Sequence, residues 1–267
     1  MIRLLALDMD GTCLNGRGRM TEETIRTLRN AADQGILIVP TTGRPLTCLP
    51  YRLTQEKDLY RYVITSNGAQ VVDISEKKTI HRKLMKRERV IQFLKECEKL
   101  NVARMTHIQH QYVMEGPLLE IVGRIYYGRD IEGVRRVDDM EAFVEKISYN
   151  IEETQVYFFS GRARRKVAKI LEQYPDFSWA FGSNYVEIFA KNTSKGTALK
   201  ALASRLGISK EEIACIGDST NDLPMFEAAG LKIAMGNAMP ELKRQADIVA
   251  YSNRIDGAAK AIEKYIL

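Results

Sequence analysis

The stretch Ile2–Thr12, IRLLALDMDGT, places a short apolar segment directly before two carboxylates and a glycine. The apolar part is typical of a buried strand in a parallel sheet, and open α/β sheets bind ligands beyond the carboxyl ends of such strands. Asp8 and Asp10 point in opposite directions along an extended chain unless the backbone turns, and Gly11 permits that turn. Two acids this close repel each other unless a cation or a shared proton lies between them. The stretch therefore predicts either a metal-assisted carboxylate site or a simple turn.

Size and composition are those of a globular protein with two domains. The chain has 267 residues, of which 45% are hydrophobic and 28% charged. That length is comfortable for two compact units. No apolar run is long enough to span a membrane, and we expect no secretory segment. Four scattered cysteines without a Cys-x-x-Cys spacing indicate reduced thiols, so we expect a cytoplasmic protein.

The net charge of +6 raises the question of a nucleic-acid partner. Residues 85–183 contain 16 basic and 15 acidic residues, so the excess of positive charge lies in the flanking segments. The middle segment lacks a stripe of one sign, whereas basic residues in the flanks would favour small anions. We expect a small anionic metabolite as partner, with neither nucleic acid nor a membrane, and the oligomeric state stays open.

Strands and helices alternate in residues 1–83 and again in residues 184–267, but not in residues 84–183. In the flanking parts, each apolar strand ends in a small polar loop that carries glycine. The predicted strands are 2–7, 36–39, 62–65 and 213–216. This pattern predicts an α/β fold with a discontinuous parallel sheet. The middle segment, 84–183, is expected to be an inserted second domain.

Four groups of polar residues are expected at one edge of that sheet. They are Asp8–Thr12, Thr41–Arg44, Lys195 at the start of a helix, and Gly217–Asp222. Together they supply carboxylates, a hydroxyl, backbone N–H groups and a cation. Phosphoryl transfer needs these groups, because positioning and charge neutralisation do most of the catalytic work.

The motifs resemble those of haloacid dehalogenase superfamily phosphatases, in the Cof-type branch (class IIB) with a large α/β cap. Asp-x-Asp-Gly-Thr-x-Leu stands at 8–14, Thr-Gly-Arg at 42–44, Ser-Asn-Gly-Ala at 66–69, Ser-Lys-Gly at 194–196, and Gly-Asp-Ser-x-Asn-Asp at 217–222. The resemblance covers essentially the whole chain. It implies a Rossmann-like core at 1–83 and 184–267 with an inserted cap at 84–183.

The resemblance also implies catalytic roles. Asp8 would attack phosphorus to form an aspartyl-phosphate. Asp10 would protonate the leaving oxygen and then take a proton from the hydrolytic water. Thr42, backbone N–H groups near Gly43, and Lys195 would hold the phosphate oxygens.

A Mg²⁺ site is implied as well. Its ligands would be Asp8, the main-chain carbonyl of Asp10, and Asp218. Asn221 would bind phosphate or, with Asp222, orient Lys195 and metal-bound water.

Three assignments have structural alternatives. Asp222 could cap the helix that begins near residue 223. Arg44 is a candidate for substrate contact or for a surface salt bridge, and Asn67 is expected to brace the Asp8 loop.

The function implied is Mg²⁺-dependent hydrolysis of small phosphate monoesters. Sugar phosphates are the leading substrate class, followed by phosphorylated cofactors such as pyridoxal phosphate and flavin mononucleotide. A sugar phosphomutase or phosphotransferase of the same superfamily is the main alternative, since both chemistries use Asp8 and Asp10. A protein that binds phosphate without turnover is a third interpretation, which the intact Asp10 disfavours.

Overall fold

The computed structural model describes residues 1–56 and 58–267, apart from the side chains at positions 126, 127, 129, 131 and 132. The described chain forms two compact units. The first comprises Met1–Arg44, Leu49–Arg82 and Ser194–Leu267, and the second comprises Pro45–Cys48 and Lys83–Thr193.

Strands and helices follow one another through both units. The strands are β1 (Leu4–Leu7), β2 (Leu37–Pro40), β3 (Tyr62–Thr65), β4 (Gln70–Asp73), β5 (Lys78–Arg82), β6 (Val102–Ile108), β7 (Gln111–Glu115), β8 (Val134–Val137), β9 (Glu153–Phe158), β10 (Phe177–Phe181), β11 (Tyr185–Ala190), β12 (Ile213–Gly217), β13 (Leu231–Ala234) and β14 (Ile248–Val249). The α-helices are α1 (Glu22–Asp33), α2 (Tyr51–Thr54), α3 (Arg87–Cys97), α4 (Gly116–Tyr127), α5 (Met140–Lys146), α6 (Gly161–Leu171), α7 (Lys195–Leu206), α8 (Leu223–Ala228), α9 (Pro240–Gln245) and α10 (Gly257–Tyr265).

The first unit is built on a five-stranded sheet with the order β14-β13-β12-β1-β2, and all of its pairings are parallel. Strand β1 lies between β12 and β2, and all four of its residues are buried. Leu7 pairs with Ile216 on one side and with Pro40 on the other. The three strands therefore end at the same level, and the polar residues that follow them share one edge.

The third strand departs from the expected continuous parallel sheet. Strand β3 begins an antiparallel sheet with β4 and β5, and among the residues that the structure describes a single parallel bridge, Thr41 with Ile64, joins it to the end of β2. The backbone N–H of Thr41 points to Leu7 and that of Thr42 points to Ile64. By this alternation, the nitrogen of Pro40 faces β3, and proline has no hydrogen to donate. Pairing between β2 and β3 therefore begins only after the proline.

The second unit contains a six-stranded sheet with the order β10-β11-β9-β6-β7-β8. Its pairings are antiparallel except for β7 with β8. Helices α3, α5 and α6 pack on one face around buried residues that include Phe93, Val156 and Val167. Strand β11 pairs with β9 and β10, and its Val186 and Ile188 enter the same core. The unit thus extends to Thr193, beyond the boundary at 183 expected from the sequence.

Candidate active site

Asp8 lies at the carboxyl end of β1. Its N–H donates to the carbonyl of Ile216 at 3.0 Å, and its side chain is only 7% exposed. The chain then turns at Gly11, where φ is +83° and an added Cβ would lie 2.3 Å from Oδ2 of Asp218. Only glycine satisfies both the backbone angle and the space. The turn predicted at Gly11 therefore brings the loop directly against the Asp218 carboxylate.

Lys195 is brought to Asp8 by the start of α7. Ser194 caps this helix, since its side chain accepts a hydrogen bond from the N–H of Thr197. Nζ of Lys195 donates to Oδ1 of Asp8 at 2.5 Å and to Oδ1 of Asp222 at 2.7 Å. The lysine side chain is completely buried, which an ammonium tolerates only when it is paired. Lys195 therefore links the loop after β1 to the loop after β12.

Asp222 organises the loop after β12. Its Oδ2 accepts hydrogen bonds from the N–H groups of Asp218 and Ser219 at 2.9 and 3.0 Å, while its Oδ1 accepts from Lys195. It makes no side-chain cap to α8 itself, but it forms a capping box with Ser219 on the short turn Thr220–Asp222 that leads into this helix. The side chain of Asp222 thus contacts Lys195 with one oxygen and caps the turn before α8 with the other.

Asp8, Asp218 and Asp222 each place a carboxylate oxygen within 4.8 Å of the others. Burial raises the pKa of Asp8 well above its ordinary value, and it raises the pKa of Asp218 to about 6. Burial alone would lower the pKa of Lys195, but Asp222 and Asp8 outweigh it, and the net shift is upward. The lysine therefore stays charged, and Asp8 and Asp222 share it, with the carboxylate of Asp218 beside them.

This set of donors fits a hard divalent cation such as Mg²⁺, which prefers carboxylate and carbonyl oxygens. A second positive charge would offset the burial, and the smaller repulsion between carboxylates, that raise the pKa values of Asp8 and Asp218. Asp222 accepts three hydrogen bonds of 2.7 to 3.0 Å, whereas the side-chain contacts of Asp218 are longer, 3.3 Å from Thr12 and 3.5 Å from Asn237. Asp8 and Asp218 are therefore the better carboxylate ligands. The main-chain carbonyl of Asp10 remains a predicted ligand.

Asp10 is held by Arg44. Nε and Nη2 of the arginine donate to Oδ2 and Oδ1 of the carboxylate at 2.8 and 2.7 Å. The Arg44 side chain is 5% exposed and that of Asp10 is 40% exposed. The arginine thus forms an ion pair, which is one of the two roles the sequence predicts, but it does so from a buried position. Two parallel hydrogen bonds fix the orientation of the carboxylate.

Asn67 joins three of the loops at this edge. Its N–H donates to the carbonyl of Thr42 at 3.1 Å, and its Oδ1 accepts from Nδ2 of Asn221 at 3.0 Å. An added Cβ on Gly43 would lie 3.2 Å from the Asn67 amide. The brace expected against the loop of Asp8 is thus observed against the loops of Thr42 and Asn221.

The side-chain oxygen of Asn221 bears on the role predicted for this residue. Oδ1 is buried and has no hydrogen-bond partner among the residues that the structure describes. Nδ2 directs one of its two N–H groups to Asn67. Oδ1 can accept a hydrogen bond from water, and the second N–H of Nδ2 can donate to a phosphate oxygen. Both roles predicted for Asn221, phosphate binding and orientation of water, therefore remain predictions.

Thr12 and Asn237 also contact the site, although the sequence pattern predicts no role for them. The Thr12 hydroxyl donates to Oδ1 of Asp218 at 3.3 Å. Nδ2 of Asn237 donates to the carbonyl of Gly11 at 2.9 Å and lies 3.5 Å from Oδ2 of Asp218. Asn237 follows β13, which neighbours β12, so its place beyond a strand end is the signal that could have found it.

Comparison with known proteins agrees with this architecture. A family model described as haloacid dehalogenase-like hydrolase matches residues 5–262. The 5-amino-6-(5-phospho-D-ribitylamino)uracil phosphatase YcsE of Bacillus subtilis is 30% identical over 268 residues, covering 100% of this chain and 96% of the relative. The putative phosphatase YxeH of the same bacterium is 30% identical over 277 residues, covering 100% and 99%.

Two solved structures extend the likeness to the fold. A haloacid dehalogenase-like hydrolase from B. subtilis matches with a TM-score of 0.87 at 26% identity, over 100% of both chains. A sugar phosphatase of haloacid dehalogenase subclass IIB matches with a TM-score of 0.84 at 25% identity, over 98% of both chains. Among the described residues, no helix combines the length and apolar character needed to cross a bilayer.

The family match, the relatives and the solved structures together show that the chain belongs to the haloacid dehalogenase-like hydrolases, in their Cof-type branch, and is a phosphatase.

Proposed function

We propose that this phosphatase hydrolyses small phosphate monoesters with Mg²⁺ and with Asp8 as the nucleophile. The observation that carries the proposal is the buried contact of Asp8 with Lys195, beside the carboxylate of Asp218. The ammonium holds one oxygen of Asp8 in place and reduces the repulsion that a phosphate dianion would meet. Mg²⁺, when bound, would supply further positive charge against the transferring phosphoryl group.

The reaction would proceed in two displacements. A carboxylate oxygen of Asp8 bonds to phosphorus while the ester oxygen leaves with a proton from Asp10. Water then attacks phosphorus, loses a proton to Asp10 and releases inorganic phosphate with free Asp8. Both oxygens of Asp10 accept a hydrogen bond from Arg44. Each oxygen has a second lone pair that can carry the transferred proton while the arginine fixes the orientation of the carboxyl group.

The names of the relatives support a substrate class for this proposal. Sugar phosphates remain the leading class, because one structural neighbour is named a sugar phosphatase. The relative YcsE is named for 5-amino-6-(5-phospho-D-ribitylamino)uracil, a phosphorylated polyol attached to a pyrimidine. Both are small monoesters of an alcohol. We assign the second unit the selection of the leaving group, and exchanging that unit for its YcsE counterpart should transfer the relative's substrate preference.

The test is phosphate release from a panel of monophosphates of sugars, nucleotides, pyridoxal and flavin, together with the ribitylaminouracil phosphate. Each is assayed with Mg²⁺ and with EDTA, for the wild type, Asp8→Asn and Asp33→Asn. Asp33 is an exposed acid at the end of α1, so its variant is the matched control. We expect metal-dependent release that is lost only in Asp8→Asn.

Two results would count against the proposal. Wild-type turnover by Asp8→Asn would remove this residue as the nucleophile. Release that appears only with a sugar bisphosphate activator would instead indicate a phosphomutase, because a mutase must be phosphorylated before each transfer.

A further inference from the structure

Asn237 lies in the turn between β13 and α9, in the first unit. The two ends of this turn are hydrogen-bonded to the loop after β12. The N–H of Met235 donates to the carbonyl of Gly217, and the N–H of Met239 donates to the carbonyl of Asp218, both at 2.9 Å. The main chain of the turn is therefore fixed against the loop that carries Asp218.

The side chain of Asn237 reaches from this turn to the loop after β1. Its Nδ2 donates to the carbonyl of Gly11 at 2.9 Å and lies 3.5 Å from Oδ2 of Asp218. Its Oδ1 accepts a hydrogen bond from the N–H of Asn253 at 2.9 Å. The oxygen of an amide only accepts and its nitrogen only donates, so the bond from Asn253 fixes which way the amide is turned. The donor group of Asn237 is therefore directed at Gly11 and Asp218.

The hydrogen bond to Gly11 bears on the main-chain carbonyl of Asp10, which is a predicted metal ligand. The carbonyls of Asp10 and Gly11 belong to consecutive planar peptides, and only φ and ψ of Gly11 relate the two planes. These angles are +83° and −8°. Glycine is the residue that rotates most freely about them. A bond that holds the Gly11 carbonyl therefore also restricts the direction of the Asp10 carbonyl.

We propose that Asn237 is a positioning residue for the divalent cation, an inference that rests on the proposed Mg²⁺ site. Its side chain holds the loop after β1 against the loop after β12, so the carbonyl of Asp10 and the carboxylate of Asp218 keep a fixed spacing. Mg²⁺ requires near-ideal octahedral geometry with ligands at about 2.0–2.1 Å, whereas Ca²⁺ accepts oxygens at about 2.3–2.6 Å in flexible arrangements. Fixed spacing of the ligands should therefore favour Mg²⁺ over Ca²⁺.

Replacement of Asn237 should affect cation binding much more than folding. Asn237 is exposed, so water can take the place of its amide at the Gly11 carbonyl. We expect the Tm of Asn237→Ala to lie within about 4 °C of the wild-type value. Loss of a residue that orients metal ligands typically lowers metal affinity by about 10–100-fold. The two effects are thus separable in one variant.

The experiment is titration calorimetry of the full chain with MgCl₂ and, separately, with CaCl₂. Asn237→Ala should raise the Kd for Mg²⁺ at least about tenfold and the Kd for Ca²⁺ less than about threefold. Asn30→Ala is the matched control, because Asn30 is an exposed asparagine of α1. It should leave both Kd values unchanged, and thermal unfolding of each variant checks that it is folded.

The possible outcomes separate this inference from the function on which it rests. Wild-type affinity of Asn237→Ala for Mg²⁺ would overturn the positioning role while leaving the Mg²⁺ site in place. Equal weakening for Mg²⁺ and Ca²⁺ would overturn it as well, since the effect would not then arise from ligand geometry. Wild type that binds neither cation would instead contradict the proposed Mg²⁺ site, and the role of Asn237 with it.

Discussion

Replacing Lys195 with methionine tests the electrostatic account of the site most directly. The side chain is fully buried and donates to both Asp8 and Asp222. Methionine keeps nearly the same shape but leaves the two carboxylates without their shared cation. We expect Lys195→Met to lower both stability and activity, and its effect on stability to depend on pH and on Mg²⁺.

The two contacts of Lys195 set the size of the expected loss of stability. Charges about 4 Å apart attract each other by about 4 kcal/mol at an effective dielectric constant of 20, and Lys195 has two such partners. The cost of burying the ammonium offsets a large part of that attraction. Removal of one member of a buried ion pair costs about 3–5 kcal/mol. For a chain of this size, that corresponds to a fall in Tm of roughly 10 °C. Loss of one preorganised donor to the phosphate should also reduce kcat by about 10²–10³.

The pH dependence has a definite sign. Lys195 has a raised pKa in the folded protein, so its contribution is constant below the ordinary lysine value of about 10.4 and is lost only above it. Asp8 has a raised pKa because of burial, and removing the ammonium raises it further. An acid with a raised pKa binds its proton more tightly in the folded state, so stability falls as pH rises from about 4 through the folded value. The loss of unfolding free energy of Lys195→Met relative to wild type should therefore be smaller at pH 5 than at pH 7.5.

The assay is thermal unfolding in EDTA at pH 5 and pH 7.5, repeated at pH 7.5 with Mg²⁺. Lys200 is an exposed lysine of the same helix, and Lys200→Met should change stability by no more than about 0.5 kcal/mol. Mg²⁺ should recover part of the deficit of Lys195→Met, since it replaces the missing charge. A variant as stable as wild type, or a deficit equal at both pH values, would refute the electrostatic reasoning.

Three further predictions concern the loops around Asp218. Gly11→Ala should weaken Mg²⁺ binding at least about tenfold, because the added Cβ would meet the Asp218 carboxylate. Gly18 also has a positive φ but has open space around it, so Gly18→Ala should leave Mg²⁺ binding unchanged. Titration calorimetry measures both affinities. Asp218→Asn should raise the Mg²⁺ concentration needed for half-maximal phosphate release at least about tenfold, and an unchanged titration would remove this residue as a ligand. Asn221→Ala should lose about 1 kcal/mol of stability with its bond to Asn67, measured by denaturant unfolding. Asn67→Ala should lose more than Asn221→Ala, because the φ of +52° at this position disfavours alanine. The double variant should lose less than the sum of the two single losses if the bond between the two side chains contributes to stability.

Local patterns suffice for much of the fold because they reflect local physics. Four consecutive buried apolar residues before Asp8 indicate a strand enclosed on both faces, and β1 is completely buried. Hydroxyl residues at helix starts accept hydrogen bonds from backbone N–H groups, and the side chains of Thr21 and Ser194 cap α1 and α7 in this way. Parallel strands end at a common edge, which is why the sequence pattern alone groups Asp8, Thr42 and Asp218.

Other features depend on contacts between distant residues. The nitrogen of Pro40 faces β3, so the proline interrupts the pairing of β2 with β3, and this direction depends on strand alternation. Strand β11 resembles the strands of the first unit in composition, but it joins the second because Val186 and Ile188 fit that core. Asn237 lies 226 residues from Gly11 in sequence, and only the order of β13, β12 and β1 brings the two together.

The sequence by itself determined which chemical groups the site contains, because residue types and strand ends can be read locally. The tertiary structure decided how those groups are paired. Lys195 could have contacted any nearby acid, but the folded chain places it between Asp8 and Asp222 and leaves Arg44 with Asp10. The physical reason is that ion pairing and pKa depend on distance and burial. Both are set when segments far apart in sequence pack around one sheet edge.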